Sequence, residues 1–122
     1  MLLIVDDNPS NLKLLRVLLS GEGFEVRTAN NASEALQALQ AAKPDLILTD
    51  IQMPGMDGLD LTRRLKADPA TRSIPVVAIT AYAMSADEAK AKEAGCDAYV
   101  AKPIDTRSLP GLLHGILDKA HS

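Results

Sequence analysis

Short apolar runs alternate along this chain with longer amphipathic stretches, and polar residues close several of the runs. Together these predict an α/β domain: a doubly wound (βα)5 three-layer sandwich with a parallel five-stranded sheet covered on both faces by right-handed crossovers. The first observation is that the runs, such as Leu46, Ile47 and Leu48, are almost uninterrupted, as in strands buried on both faces. The second is that helix-start and helix-stop signals fall regularly between them. For a small doubly wound domain the common strand order is 2-1-3-4-5, adopted here as the expectation. With 122 residues the chain makes one domain, residues 1–122, large enough for a single core.

Taken in order, residues 2–5 form the first strand and lead into Asp6 and Asp7. Asn8 is placed to cap a helix with Pro9 at its first position, where a missing N–H costs least. Leu12, Leu15, Leu18 and Leu19 share one face of that helix, and Gly21 and Gly23 stop it. Residues 24–28 are the second strand. Asn31 and Glu34 have capping-box spacing before a second helix that ends ahead of Pro44. The third strand closes on Asp50, and a third helix runs from Gly58 to about Ala67 with Leu59, Leu61 and Leu65 as its apolar contributors. Residues 75–80 form the fourth strand. Ser85 and Glu88 repeat the capping-box spacing and open an Ala-rich helix that Gly95 closes. Residues 98–101 are the fifth strand, and a last helix is expected over residues 106–119. Pro110 is expected to remove one of its hydrogen bonds, and Gly111 and Gly115 to cost about 1 kcal/mol each.

The bulk numbers exclude several function classes. A formal charge of −3 leaves no basic footprint for DNA or RNA. Phe24, Tyr82 and Tyr99 are the only Phe, Tyr or Trp residues, too few for base stacking as a main activity. No apolar run approaches a membrane span, and Met1 opens into a strand without a basic leader, so neither a membrane nor a secretory role is expected. Cys96 is the sole cysteine, which fits a reducing cytoplasm and excludes an internal disulfide.

In the expected strand order, strands 1 and 3 are neighbours where the sheet changes direction, and ligands bind outside the carboxyl ends of such strands. Asp6, Asp7 and Asp50 would converge there. Two like charges about 4 Å apart repel by roughly 4 kcal/mol at an effective dielectric of 20. Either some of these acids take up protons or a cation sits among them. Oxygen-only ligands favour a hard cation, and so few protein ligands suit Mg2+, which keeps several waters, with Mn2+ as a substitute. The plainer reading is that Asp6 and Asp7 only begin a turn and cap the first helix. It loses ground because Thr80 and Lys102 close the fourth and fifth strands at the same edge. A hydroxyl, an ammonium and a cation around a carboxylate make a site for a phosphoryl group, with Asp50 as the central nucleophile.

Asp6 and Asp7, Asp50 with Met53, Pro54, Gly55, Met56, Asp57 and Gly58, then Thr80, Ala81, Tyr99, Lys102 and Pro103 together resemble the receiver domain of two-component response regulators. The resemblance covers essentially the whole chain, and is nearest to stand-alone cell-division-type receivers and to the receivers of hybrid kinases. It implies a flavodoxin-like fold and a signalling module, not an enzyme in the ordinary sense. Asp50 would accept a phosphoryl group from a phosphohistidine on a histidine kinase or histidine phosphotransfer protein. Asp6, Asp7, Asp50 and the backbone carbonyl of Gln52 would hold Mg2+. Thr80, Ala81 and Lys102 would hold the phosphoryl oxygens. Gln52 and Tyr82 would tune self-dephosphorylation, with bulky Tyr82 expected to hinder the attacking water. Thr80 and Tyr99 would carry the switch toward a downstream protein target at the helix 4, strand 5 and helix 5 face; the plain alternative for Tyr99 is a strand aromatic. Leu14 and Val17, beside an Asn11 expected to be exposed, with Pro103 and Ile104, would dock the kinase. The chain leaves no residues for an output domain, so it is expected to be either a complete single-domain regulator or part of a larger protein.

The main rival is a non-phosphorylating adaptor of the same fold, disfavoured by the complete Asp50, Thr80 and Lys102 set. A flavin carrier needs a hydroxyl- and Gly-rich loop where this chain has Asp6, Asp7, Asn8 and Pro9. A nucleotide hydrolase needs a Gly-rich loop ending in Lys-Ser or Lys-Thr, and a dehalogenase-like phosphatase an Asp-x-Asp on strand 1; both are missing.

Overall fold

A computed structural model describes residues 1–51, 58–80, 85–101 and 107–121, without the side chains of Thr80, residues 85–88, Ala101 and residues 119–121. The elements run β1 (Leu2–Val5), α1 (Pro9–Gly21), β2 (Val26–Ala29), α2 (Ala32–Ala41), β3 (Leu46–Asp50), α3 (Gly58–Ala67), β4 (Val76–Thr80), α4 (Ser85–Ala94), β5 (Ala98–Ala101) and α5 (Leu109–His121). The sheet has the order β2-β1-β3-β4-β5. Every neighbouring pair is parallel.

Side chains alternate between the two faces of each strand, and this alternation divides the core. On one face Leu2, Ile4, Leu46, Leu48, Val77 and Ile79 pack under Leu12, Leu15 and Leu19 of α1 and Leu109 and Leu113 of α5. On the other, Leu3, Val5, Ile47 and Val76 pack under Ala32 and Ala35 of α2 and Leu61 and Leu65 of α3. A third cluster seats Ala91 and Ala94 of α4 on Ala78 and Leu59, where small residues let the helix approach closely. Each fully buried leucine contributes roughly 2 kcal/mol through its apolar surface, so the inner strands are firmly held.

Three elements differ from the sequence expectation in ways that have a cause. The second strand begins at Val26 instead of residue 24, because the backbone N–H of Phe24 bonds Leu19 O at 3.1 Å and closes the end of α1. Gly23, at φ 94°, makes that reversal possible. Phe24 instead stacks on His114 of α5, ring centroids 4.6 Å apart. At α2, the Asn31 side chain accepts from Glu34 N at 2.8 Å as expected, but Glu34 reaches back to Asn30 N at 3.1 Å and not to Asn31, so the box is one residue wider. The last helix starts at Leu109, not at residue 106. Pro110 therefore lies in the first turn, where its missing N–H has no partner to lose, and the expected cost there does not arise. Ser108 O accepts from Leu112 N at 3.1 Å and opens the helix. The capping-box side chains Ser85 and Glu88 lie outside the described side chains.

Candidate functional site

β1 and β3 are paired in register, Val5 against Thr49, so the chain leaves both strands at the same level. Asp6 follows β1 and is 1% exposed, while Asp50 is the last residue of β3 and is 4% exposed. Asp7, one residue on, is exposed. One carboxylate oxygen from each of the three lies within 4.8 Å of the others. At that separation a fully charged pair repels by roughly 3 kcal/mol at an effective dielectric of 20, and less where exposed Asp7 is a member. Three hard oxygen ligands on one side, open to water through Asp7, suit a divalent cation that keeps part of its hydration shell.

The turn-and-cap reading of the acidic pair holds for part of it. Asp6 Oδ1 accepts from Asn8 N at 2.9 Å, and Asn8, through its own side chain, accepts from Ser10 N at 2.9 Å as the cap of α1. The cap itself is thus Asn8. Asp7 makes no hydrogen bond or ion pair among the described residues, so helix capping does not explain it. Asn11, expected to be exposed beside Leu14 and Val17, is half-buried instead. Its Nδ2 donates to Asp6 Oδ2 at 3.3 Å, which holds that carboxylate from the helix side. The signal for this was in the sequence: Asn8 and Asn11 are three apart and share a helix face next to the acid.

Leu14 and Val17 are 50% and 61% exposed, as expected, and Leu112 of α5, which the sequence reading passed over, is 39% exposed. Tyr99 is half-buried on β5, opposite Ala78, packed against the cluster of Leu59, Ala78, Ala91 and Ala94. It lines a cavity of about 250 Å³ with Ala91, Lys92, Cys96, Asp97 and Ala98. The Cys96 thiol donates to Thr62 Oγ1 at 3.7 Å, and burial, the dominant effect, pushes its pKa up from the ordinary value. Register places Thr80 against Ala101, at the end of β4 beside β3. The Thr80 side chain, and Gln52, Ala81, Tyr82, Lys102, Pro103 and Ile104, lie outside what is described. No described helix is long and apolar enough to cross a membrane.

The family model for the response regulator receiver domain matches residues 2–114. The chain is 47% identical over 102 residues to the polar-differentiation response regulator DivK of Brucella anthropi, covering 84% of this chain and 83% of that protein. Among solved structures, it superposes on the signal receiver domain of a signal transduction histidine kinase from Syntrophus aciditrophicus with a TM-score of 0.90 at 34% identity, over 97% of this chain and 89% of that one. The chemotaxis protein CheY4 of Vibrio cholerae gives a TM-score of 0.89 at 27% identity, over 94% and 96% of the two chains.

Proposed function

This chain belongs to the response regulator receiver family, a family of signalling modules, and from that premise we propose that Asp50 is its phosphoacceptor. The observation that carries the reading is the meeting of Asp6, Asp7 and Asp50 within 4.8 Å at the carboxyl edge of the central strands. A carboxylate oxygen of Asp50 attacks the phosphorus of a phosphohistidine on a histidine kinase or phosphotransfer protein. A P–O bond forms, the P–N bond breaks, and the imidazole nitrogen leaves and takes up a proton. Asp6, Asp7, Asp50 and the Gln52 carbonyl are the residues that would hold Mg2+, whose charge offsets that of the transferring group. Lys102, the Thr80 hydroxyl and the Ala81 N–H are assigned to the phosphoryl oxygens, and Gln52 and Tyr82 to the rate of self-dephosphorylation.

Asn11 and its bond to Asp6 keep the acid edge oriented, while Leu14 and Val17, with Pro103 and Ile104, form the docking surface for the phosphodonor. Thr80 and Tyr99 carry the switch. Phosphorylation favours one of two pre-existing arrangements of the α4, β5 and α5 face, where a downstream protein binds. The site of action is the cytoplasm. Incubation with labelled acetyl phosphate and Mg2+ tests the reading. An acid-labile label that is lost in Asp50→Asn is expected; a label retained in that variant, or none in the native chain, sinks it.

A further inference from the structure

We propose that Gly58 is a positioning residue for the phosphoacceptor: the first residue of α3 forms a close-fitting seat for the Asp50–Ile51 peptide and so fixes where the Asp50 carboxylate points. This rests on the reading of Asp50 as phosphoacceptor. A Cβ built on Gly58 would stand 2.2 Å from Asp50 O, 2.9 Å from its carbonyl carbon and 3.0 Å from Ile51 Cα. Ordinary contact between nonbonded heavy atoms is about 3.5 Å, so even one methyl group requires a shift of roughly 1 Å. The atoms it meets are backbone, not the end of a flexible side chain, so the shift falls on the strand terminus or on the helix.

Space, not backbone freedom, is what demands glycine here, since among the described residues the glycines with positive φ are Gly23 and Gly95. Hydrogen bonds from β3, β4 and α3 hold the seat. Ile51 N donates to Ile79 O of β4 at 2.9 Å, and Gly58 N donates to Ile51 O at 3.0 Å. The buried Thr49 hydroxyl donates to Asp50 O at 3.1 Å. From the helix side, the buried Thr62 hydroxyl donates to Gly58 O at 2.7 Å. The peptide unit that follows the nucleophile is thus gripped between β4 and α3. Its carboxylate inherits that placement through a single Cα. Gly115, by contrast, has nothing within 4 Å of an added Cβ.

A misplacement of about 1 Å at a reacting group is enough to cost about a hundredfold in rate. The test measures labelling by acetyl phosphate per folded molecule against Mg2+ concentration, in the native chain and in Gly58→Ala, Thr62→Val and Gly115→Ala. Gly58→Ala is expected to lower the plateau rate tenfold to a hundredfold. Thr62→Val, which loosens the seat without adding atoms, lowers it in the same direction by a smaller factor, and Gly115→Ala leaves it unchanged. Folded Gly58→Ala labelling at the native rate overturns the proposal. If that variant does not fold, Thr62→Val at the native rate overturns it. A native chain that takes no label removes the underlying reading, whereas a labelled native chain with indifferent variants removes the seat alone.

Discussion

Among the described residues, the two edges of the sheet differ in how their charges are arranged. At the amino edge, where β4 and β5 begin, charges of opposite sign meet and backbone groups complete the set. Lys66 Nζ donates to Arg72 O at 3.1 Å, to Ile74 O at 2.9 Å and to Asp97 Oδ2 at 3.0 Å. The same Asp97 oxygen accepts from Val76 N at 2.8 Å, which ties the start of β4 to the turn before β5. Gly95 leaves the room for this, since a Cβ there would stand 2.8 Å from Lys66 Cγ. Nearby, the Met1 amino group pairs with Asp45 just before β3. At the carboxyl edge, among the described residues, three acids of one sign gather, two of them buried, and Asp6 accepts from Asn8 N and Asn11 Nδ2. One edge pairs its charges to hold the fold together, whereas at the other three like-charged groups stand close. That difference fits the proposal that the carboxyl edge is the working one.

Substitutions should therefore separate by edge. The largest effect is expected for Asp7→Asn, which should slow Mg2+-dependent labelling of Asp50 by about a hundredfold, the scale of deleting one charge-stabilising group. Its unfolding midpoint without Mg2+ should stay level or rise, because one repelling charge is gone. Asp97→Ala should do the reverse. Leaving Val76 N without its acceptor and Lys66 without its partner should cost about 2 kcal/mol in denaturant unfolding, with labelling per folded molecule unchanged; a labelling defect there would break the comparison. Changing Leu14 and Val17 together to Ser should reduce transfer from a phosphohistidine donor by roughly fivefold, as loss of about 1 kcal/mol of contact energy implies. Labelling by acetyl phosphate should not move, since a small donor needs no docking surface. The smallest effect concerns Cys96. With its thiol pushed up by burial, alkylation near neutral pH should be slower than for an exposed cysteine. The fold prefers the neutral thiol, so stability is unaffected below the ordinary thiol pKa and declines as pH rises through the raised one.

Much of this architecture was legible in the sequence because it follows from local rules. Uninterrupted apolar runs at Leu46 to Leu48 and Val76 to Ile79 mark strands covered on both faces, and Asn8, Pro9 and Asn31 mark helix starts that the structure bears out. The strand order came from the habit of small doubly wound sheets and agrees with the observed one. The misses share a cause: groups whose partners lie far along the chain or are chosen by competing geometry. Phe24 has the composition of a strand residue, but the helix terminus claims its N–H. The start of α5 depended on whether Pro110 is interior or first-turn, which spacing alone does not decide. Asn11 is the exception, since its partner Asp6 is close along the chain and the spacing from Asn8 already pointed toward it. The fit of Gly58 against Asp50 and the Lys66–Asp97 brace exist only once the strands are assembled. In the acidic site, convergence was deducible from strand ends, while the 4.8 Å span among the three oxygens was not.

Calorimetric titration of the native chain with Mg2+, beside Asp7→Asn, bears most directly on whether the carboxyl edge is a cation site built around Asp50. A single saturable site in the native chain, accompanied by a higher unfolding midpoint at excess Mg2+ and weakened or absent in the variant, is the expected result. A native chain that binds no Mg2+, or an Asp7→Asn chain that binds it as well as the native one, would contradict the account.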